Sequence, residues 1–310
     1  MFETKILEDY KGYGKCLYAT NGTVDLIFTV DVGPRIVRYG FVGEQNILLD
    51  DYQCENMRPT STEKLRAYYG EDAWHSYFGG HRLIVAPEYY PRTYYPDTKP
   101  VPYEIIENGV IFTPDEQKEN ELQLRMTVTL AESGPEVFLK HEVKNTALHN
   151  QEFAVWTPTL CNKGGVEIIP RNTSYLPYMP NQNIVTWQQT DFTADYIHLG
   201  RKYFTIANPA NASLKLGFSL EHGEAHYVLG DDVFTKFYSP RWPNGVYTDM
   251  GCSYETYSCC NFTELETLGE YKTVGSNETS EHYERWTLRK KPCDLDPKND
   301  DSIGEFLSKL

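Results

Sequence analysis

Apolar and polar residues alternate with a period of two along most of this chain. The pattern runs through VDLIFTVDVG (24–33), ELQLRMTVTLAE (121–132), PEVFLKHEVKN (135–145), EFAVWTPTL (152–160), KLGFSL (215–220), VFTKFY (233–238) and HYERWTL (282–288). Such alternation puts one face of a strand in a core and the other outside, and helical periodicity is almost absent. Between the runs lie turn-forming clusters, among them Glu107-Asn108-Gly109, Glu132-Ser133-Gly134-Pro135 and Asn162-Lys163-Gly164-Gly165. Strands joined by short turns predict hairpins in large antiparallel sheets, hence an all-β chain. Only residues 61–68 and 302–310 read as helical. No composition shift, fixed-period repeat or low-complexity tract divides the sequence, so residues 1–310 are expected to form one domain.

Charge narrows the partners. The 310 residues carry 29 Lys and Arg against 44 Asp and Glu, a net charge of −15, with no basic stripe to follow a phosphate backbone or an anionic membrane. The start, MFETKILEDYKGYGK, lacks an apolar leader core, and no apolar run is long enough to span a bilayer, which predicts a cytoplasmic protein. Seven scattered cysteines (Cys16, Cys54, Cys161, Cys252, Cys259, Cys260 and Cys293) without a CxxC pair fit reduced thiols better than a disulfide framework or a zinc site. The N-x-S/T triplets at Asn21, Asn172, Asn211, Asn261 and Asn277 are read as chance matches. Twenty-four tyrosines against 14 phenylalanines suit a wet concave pocket whose ligand offers both C–H faces and hydroxyls, as a sugar does.

The strongest chemical signal is SCCNFTELETLGEY (258–271). In a strand, residues two apart share a face, so Glu264 and Glu266 project together, roughly 6.6 Å apart along the chain. A buried carboxylate gains basicity, and the charge of Glu264 would raise the proton affinity of Glu266. A second signal is Gly79-Gly80-His81-Arg82, where a titratable ring and a fixed cation open an otherwise apolar strand. Neighbouring strand residues face opposite ways, so His81 and Arg82 share a pocket only if the glycines form a bulge. Trp74 and His75, just upstream, are candidate sugar ligands, and Asp249 and Glu255 add acid near Glu264 without forming a metal cage. Serine-hydrolase elbows, phosphate loops and dinucleotide fingerprints are absent.

GPRIVRYGF and NILL, then GGHRLIVAPE, WTPTLCNKGGVEIIP, VFTKFY, YTDMGCSYETYSCCNFTELETLGEY and HYERWTL, in this order, resemble the galactose mutarotase-like superfamily, and within it the aldose 1-epimerase-like branch. The resemblance implies a β-supersandwich of large antiparallel sheets with an open sugar-binding groove, working without metal or cofactor. Leu265-Glu266-Thr267 matches the segment carrying the general base, which assigns that role to Glu266; Arg82 matches the arginine that holds sugar hydroxyls. Where the family places its histidine acid, this chain reads AVWTPTL, with Trp156 as a sugar platform and no histidine. His81 is the remaining candidate acid, and Lys236 falls where relatives present polar groups to sugar. Two functions follow: anomer interconversion by acid–base catalysis, or sugar binding by a protein that kept the groove and lost the acid.

Overall fold

A computed structural model describes residues 2–51, 58–209 and 212–310; Cys54 and Asn211 lie outside the described residues. The alternating runs form antiparallel strands in three sheets. The first is a meander of β1 (Glu3–Leu7), β2 (Cys16–Thr20), β3 (Val24–Thr29) and β4 (Ile36–Phe41). The second contains β5 (Ile84–Ala86), β10 (Gln151–Asn162), β12 (Ile184–Thr186), β15 (Leu214–Phe218), β18 (Tyr254–Ser258), β19 (Phe262–Leu268) and β20 (Lys272–Val274), in the order β12-β15-β18-β19-β10-β20 with β5 also on β10.

The third sheet has ten strands: β6 (Tyr103–Ile106), β7 (Gly109–Phe112), β8 (Leu122–Leu130), β9 (Val137–Asn145), β11 (Val166–Pro170), β13 (Ile197–Leu199), β14 (Tyr203–Ile206), β16 (Glu224–Leu229), β17 (Asp232–Tyr238) and β21 (Thr279–Lys290). Its order is β13-β14-β11-β16-β17-β21-β9-β8-β7-β6. Single bridges from Ile36 to His81 and from His81 to Thr159 tie β4 to β10, so the first two sheets continue into one layer. The all-β supersandwich of large antiparallel sheets is thus the observed architecture.

One apolar core lies between the layers, drawing Phe28 and Tyr39 from the first sheet, Leu216 and Leu265 from the second, and Phe234 and Trp286 from the third. Each fully buried side chain of this kind contributes about 1.5–3 kcal/mol through the water it sheds. Strand β21 alternates buried and exposed residues, as a strand with one wet face should. Strand β19 is buried at all seven positions, so its outward face is covered as well. That double cover places the two glutamates in a low-dielectric setting.

The helices are α1 (Glu63–Tyr69), capped by Thr62 accepting from the Leu65 N–H, and α2 (Asp300–Ser308), capped by Asn299 and anchored through Ile303 and Phe306. Both lie within two residues of the segments the pattern predicts.

Candidate functional site

Strand register assembles the site. On β19, Glu264 and Glu266 face outward while Thr263, Leu265 and Thr267 face the other way. Glu266 pairs with Glu255 of β18 and Pro158 of β10, and Glu264 pairs with Tyr257 and Leu160. Lys215 of β15 stands opposite Tyr257. Its ammonium reaches diagonally to Glu255 Oε2 at 2.8 Å and Glu266 Oε2 at 3.3 Å. Trp156 Nε1 donates to the same Glu266 oxygen at 2.9 Å, and the ammonium lies 5.1 Å from the Trp156 ring and 5.0 Å from that of Trp187.

Arg82 enters from the segment before β5. Gly79 and Gly80 have φ of 77° and 58°, and a Cβ on Gly80 would lie 2.0 Å from the Ile36 carbonyl oxygen. The pair therefore allows the chain to pass against β4 and dock on β10, where the Arg82 N–H donates to the Pro158 carbonyl at 3.1 Å. The Arg82 guanidinium then lies 4.8 Å from the Tyr77 ring.

A cavity of about 540 Å³ opens between these groups, bordered by Tyr77, Arg82, Trp156, Lys215, Tyr257 and Glu264 among others. Glu266 does not border it. That side chain is 0% exposed, behind Trp156 and Lys215. Buried polar atoms without a hydrogen-bond partner gather at this place: Arg82 Nε and Nη1, Glu255 Oε1, Glu264 Oε1 and Glu266 Oε1. Native interiors pair nearly all such atoms, so the three on wall residues, Arg82 and Glu264, with two more behind them on Glu255 and Glu266, mark a place built for a polar guest. Burial pushes all three carboxyls above the ordinary carboxylate range; the charge of Glu266 raises Glu264 further, while Lys215 opposes the rise at Glu255 and Glu266. Burial works against the Lys215 ammonium, yet Glu266 and Glu255 hold its pKa above the usual lysine value.

His81 and Lys236 require correction. The glycines create no bulge that turns His81 toward Arg82; its ring enters the space between the layers, with Nδ1 2.8 Å from Thr159 Oγ1 and Nε2 2.8 Å from His141 Nε2. Lys236 lies in the same interior, fully buried, donating to the Thr157 carbonyl at 2.6 Å, Thr159 Oγ1 at 2.8 Å and the Leu265 carbonyl at 3.0 Å, and paired with Glu284 at 3.1 Å. Strand alternation is the physical reason in both cases. His81, His141 and Glu284 bring potential ligand atoms within 4.8 Å of one another. Their lone pairs are engaged internally, and the Lys236 ammonium already occupies the cationic position beside Glu284.

Trp74 packs edge-on against Phe78, with ring centroids 5.8 Å apart, away from the groove. His75 borders a separate, smaller cavity that it shares with Arg35, Asp97 and the other side of Arg82. Asp249 lies in the turn before β18, with φ of 51°, outside the cavity wall but close enough to raise Glu255 by its charge. Sequence reading missed Lys215, Tyr77, Trp187 and Tyr257. Lys215 had a signal, since it interrupts Leu214 and Leu216 on the face opposite the core, but nothing local shows which sheet face becomes a groove.

No family model and no curated protein matches this chain in sequence. Solved structures do match in shape. A candidate aldose 1-epimerase from Klebsiella pneumoniae superposes with a TM-score of 0.58 at 12% identity, over 99% of this chain and 86% of that one. A candidate mutarotase, YeaD, from Salmonella typhimurium gives 0.55 at 10% identity, over 94% of each chain. A galactose mutarotase-like protein from Lactobacillus casei gives 0.53 at 9% identity, over 93% of this chain and all of that one. At these identities the likeness is one of architecture: the chain has the galactose mutarotase-like fold.

Proposed function

We propose that this chain is a carbohydrate-active protein of the aldose 1-epimerase type, a single domain over residues 1–310 whose ligand is an unphosphorylated sugar. The observation that carries this reading is the set of three unpartnered buried atoms, Arg82 Nε and Nη1 and Glu264 Oε1, on the wall of an aromatic-lined cavity. Vicinal hydroxyls both donate and accept, so they suit a wall holding the carboxyls of Glu88 and Glu264 and the Arg82 guanidinium donor. Tyr77, Trp156 and Tyr257 offer ring surface to the C–H face of a pyranose. Of the two cations bordering the cavity, Lys215 is already paired with Glu255 and Glu266, which leaves Arg82 alone to meet a phosphate and favours an unphosphorylated sugar.

Proton exchange at the anomeric carbon falls to Glu264, the buried carboxyl of the pair that borders the cavity. A second reading, sugar binding without catalysis, is favoured by one observation: no histidine borders the cavity among the described residues. Exchange NMR on freshly dissolved D-glucose, D-galactose and their 6-phosphates separates the two. The epimerase reading expects anomer exchange above the buffer background, with the free sugars at least about 10-fold better used than the phosphates. Line broadening that reports binding without added exchange would establish the second reading.

A further inference from the structure

Opening a cyclic aldose requires two proton transfers: one leaves the C1 hydroxyl and one reaches the ring oxygen. Both oxygens are bonded to the same carbon. A carboxyl group likewise carries two oxygens on one carbon, and when protonated it has a donor beside an acceptor. Resting on the epimerase reading, we propose that Glu264 in its neutral form performs both transfers alone, while Glu266 is a positioning residue behind it.

The balance closes without a second catalyst. The carboxyl proton of Glu264 goes to the ring oxygen as the C1–O bond breaks and its electron pair stays on that oxygen. The C1 hydroxyl proton passes to the other Glu264 oxygen as the C1 carbonyl forms. Glu264 ends neutral, its proton on the opposite oxygen. Rotation about C1–C2 presents the other carbonyl face, and the same two transfers in reverse close the ring as the other anomer.

Placement supports the assignment. Glu264 borders the cavity with an unpartnered Oε1, whereas Glu266 is sealed off, its Oε2 held by Trp156 and Lys215. The fold's usual histidine acid has no replacement at the cavity wall among the described residues, and a bifunctional carboxyl needs none. The groups facing Glu264 set its charge state. Glu266 and Glu88 favour the neutral form, and Arg82 and Lys215 oppose it. Tyr77, Tyr257, Cys259 and Cys260 complete the facing wall, and Glu255 stands beside Glu266 behind it. Burial is the largest influence and pushes Glu264 up to about 8, so the acid form prevails at neutral pH.

Exchange NMR with D-glucose and D-galactose on wild type, Glu264→Gln, Glu264→Asp and Glu266→Gln tests this. Glutamine keeps the size and a hydrogen-bonding group at position 264 but cannot relay a proton, so kcat should fall at least about 100-fold with sugar affinity nearly unchanged. Glu264→Asp should keep more activity than Glu264→Gln, and Glu266→Gln should stay within about 10-fold of wild type. The wild-type rate should be level on the acid side and decline only as pH rises through the Glu264 titration. A bell-shaped profile whose acid limb vanishes in Glu266→Gln, or a 100-fold loss in Glu266→Gln with Glu264→Gln near wild type, overturns the assignment and makes Glu266 the base. Wild type that binds sugar and accelerates nothing overturns the epimerase reading itself, and this assignment with it.

Discussion

Strands β10 and β19 carry a buried polar cluster on each face, and the two clusters differ in one respect. Between the layers, Glu284 Oε1 has Thr157 Oγ1 and Thr267 Oγ1 at 2.5 Å and the Lys236 ammonium at 3.1 Å, while its Oε2 accepts from Trp286 Nε1 at 2.8 Å. His81, His141 and His282 complete that network through Thr159, each other and Thr267. On the outward face, Glu255, Glu264, Glu266 and Arg82 keep atoms that nothing in the protein satisfies. Both clusters are buried and charged. Only the outward one is unfinished. Hydrogen-bond satisfaction, more than burial or charge, therefore separates a structural network from a candidate binding site.

The largest expected effect tests the interior. Lys236→Met leaves the fully buried Glu284 without its cation and should cost about 3–5 kcal/mol in urea unfolding, because an uncompensated buried charge is expensive. The Glu264→Gln protein should unfold near wild type under the same conditions at neutral pH. Equal losses in the two variants would erase the distinction between the clusters.

A middle-sized effect sharpens the outward side. Arg82→Lys keeps the charge but removes the forked Nε and Nη donors, so sugar affinity measured by NMR titration should fall about 10-fold, or about 1.4 kcal/mol, with little change in unfolding. An unchanged affinity would remove Arg82 from the binding wall.

The smallest effect is the pH dependence of stability, where the two faces have opposite signs. Burial holds the interior histidines His81, His141 and His282 below their usual 6.5, His141 at about 4 and His282 at about 3, so they bind fewer protons folded than unfolded. Their contribution is present above pH 6.5 and is lost as pH falls toward those values. Glu264 binds more protons folded than unfolded between 4.5 and about 8, so its contribution is present on the acid side and lost as pH rises through that window. Denaturant midpoints at pH 6.5 and about pH 9 should decline for wild type and change less for Glu264→Gln; parallel declines would place the alkaline loss elsewhere.

Strand content, the absence of long helices, the shared face of Glu264 and Glu266, and the opposed faces of His81 and Arg82 are all written in the sequence, because period-two alternation is a property of neighbouring residues. The order of motifs also carries the resemblance to the mutarotase-like fold that the superpositions show. Tertiary structure alone decided which of the two faces is unfinished. Lys215 meets Glu266 across 51 positions and Thr157 meets Glu284 across 127, contacts that only sheet order and register create. Lys236 illustrates the limit: its alternation in VFTKFY is equally consistent with a groove, a wet surface or an ion pair between layers. The choice among these is made by β21 bringing Glu284 beneath it, because a buried ammonium settles where a distant strand supplies its counter-charge.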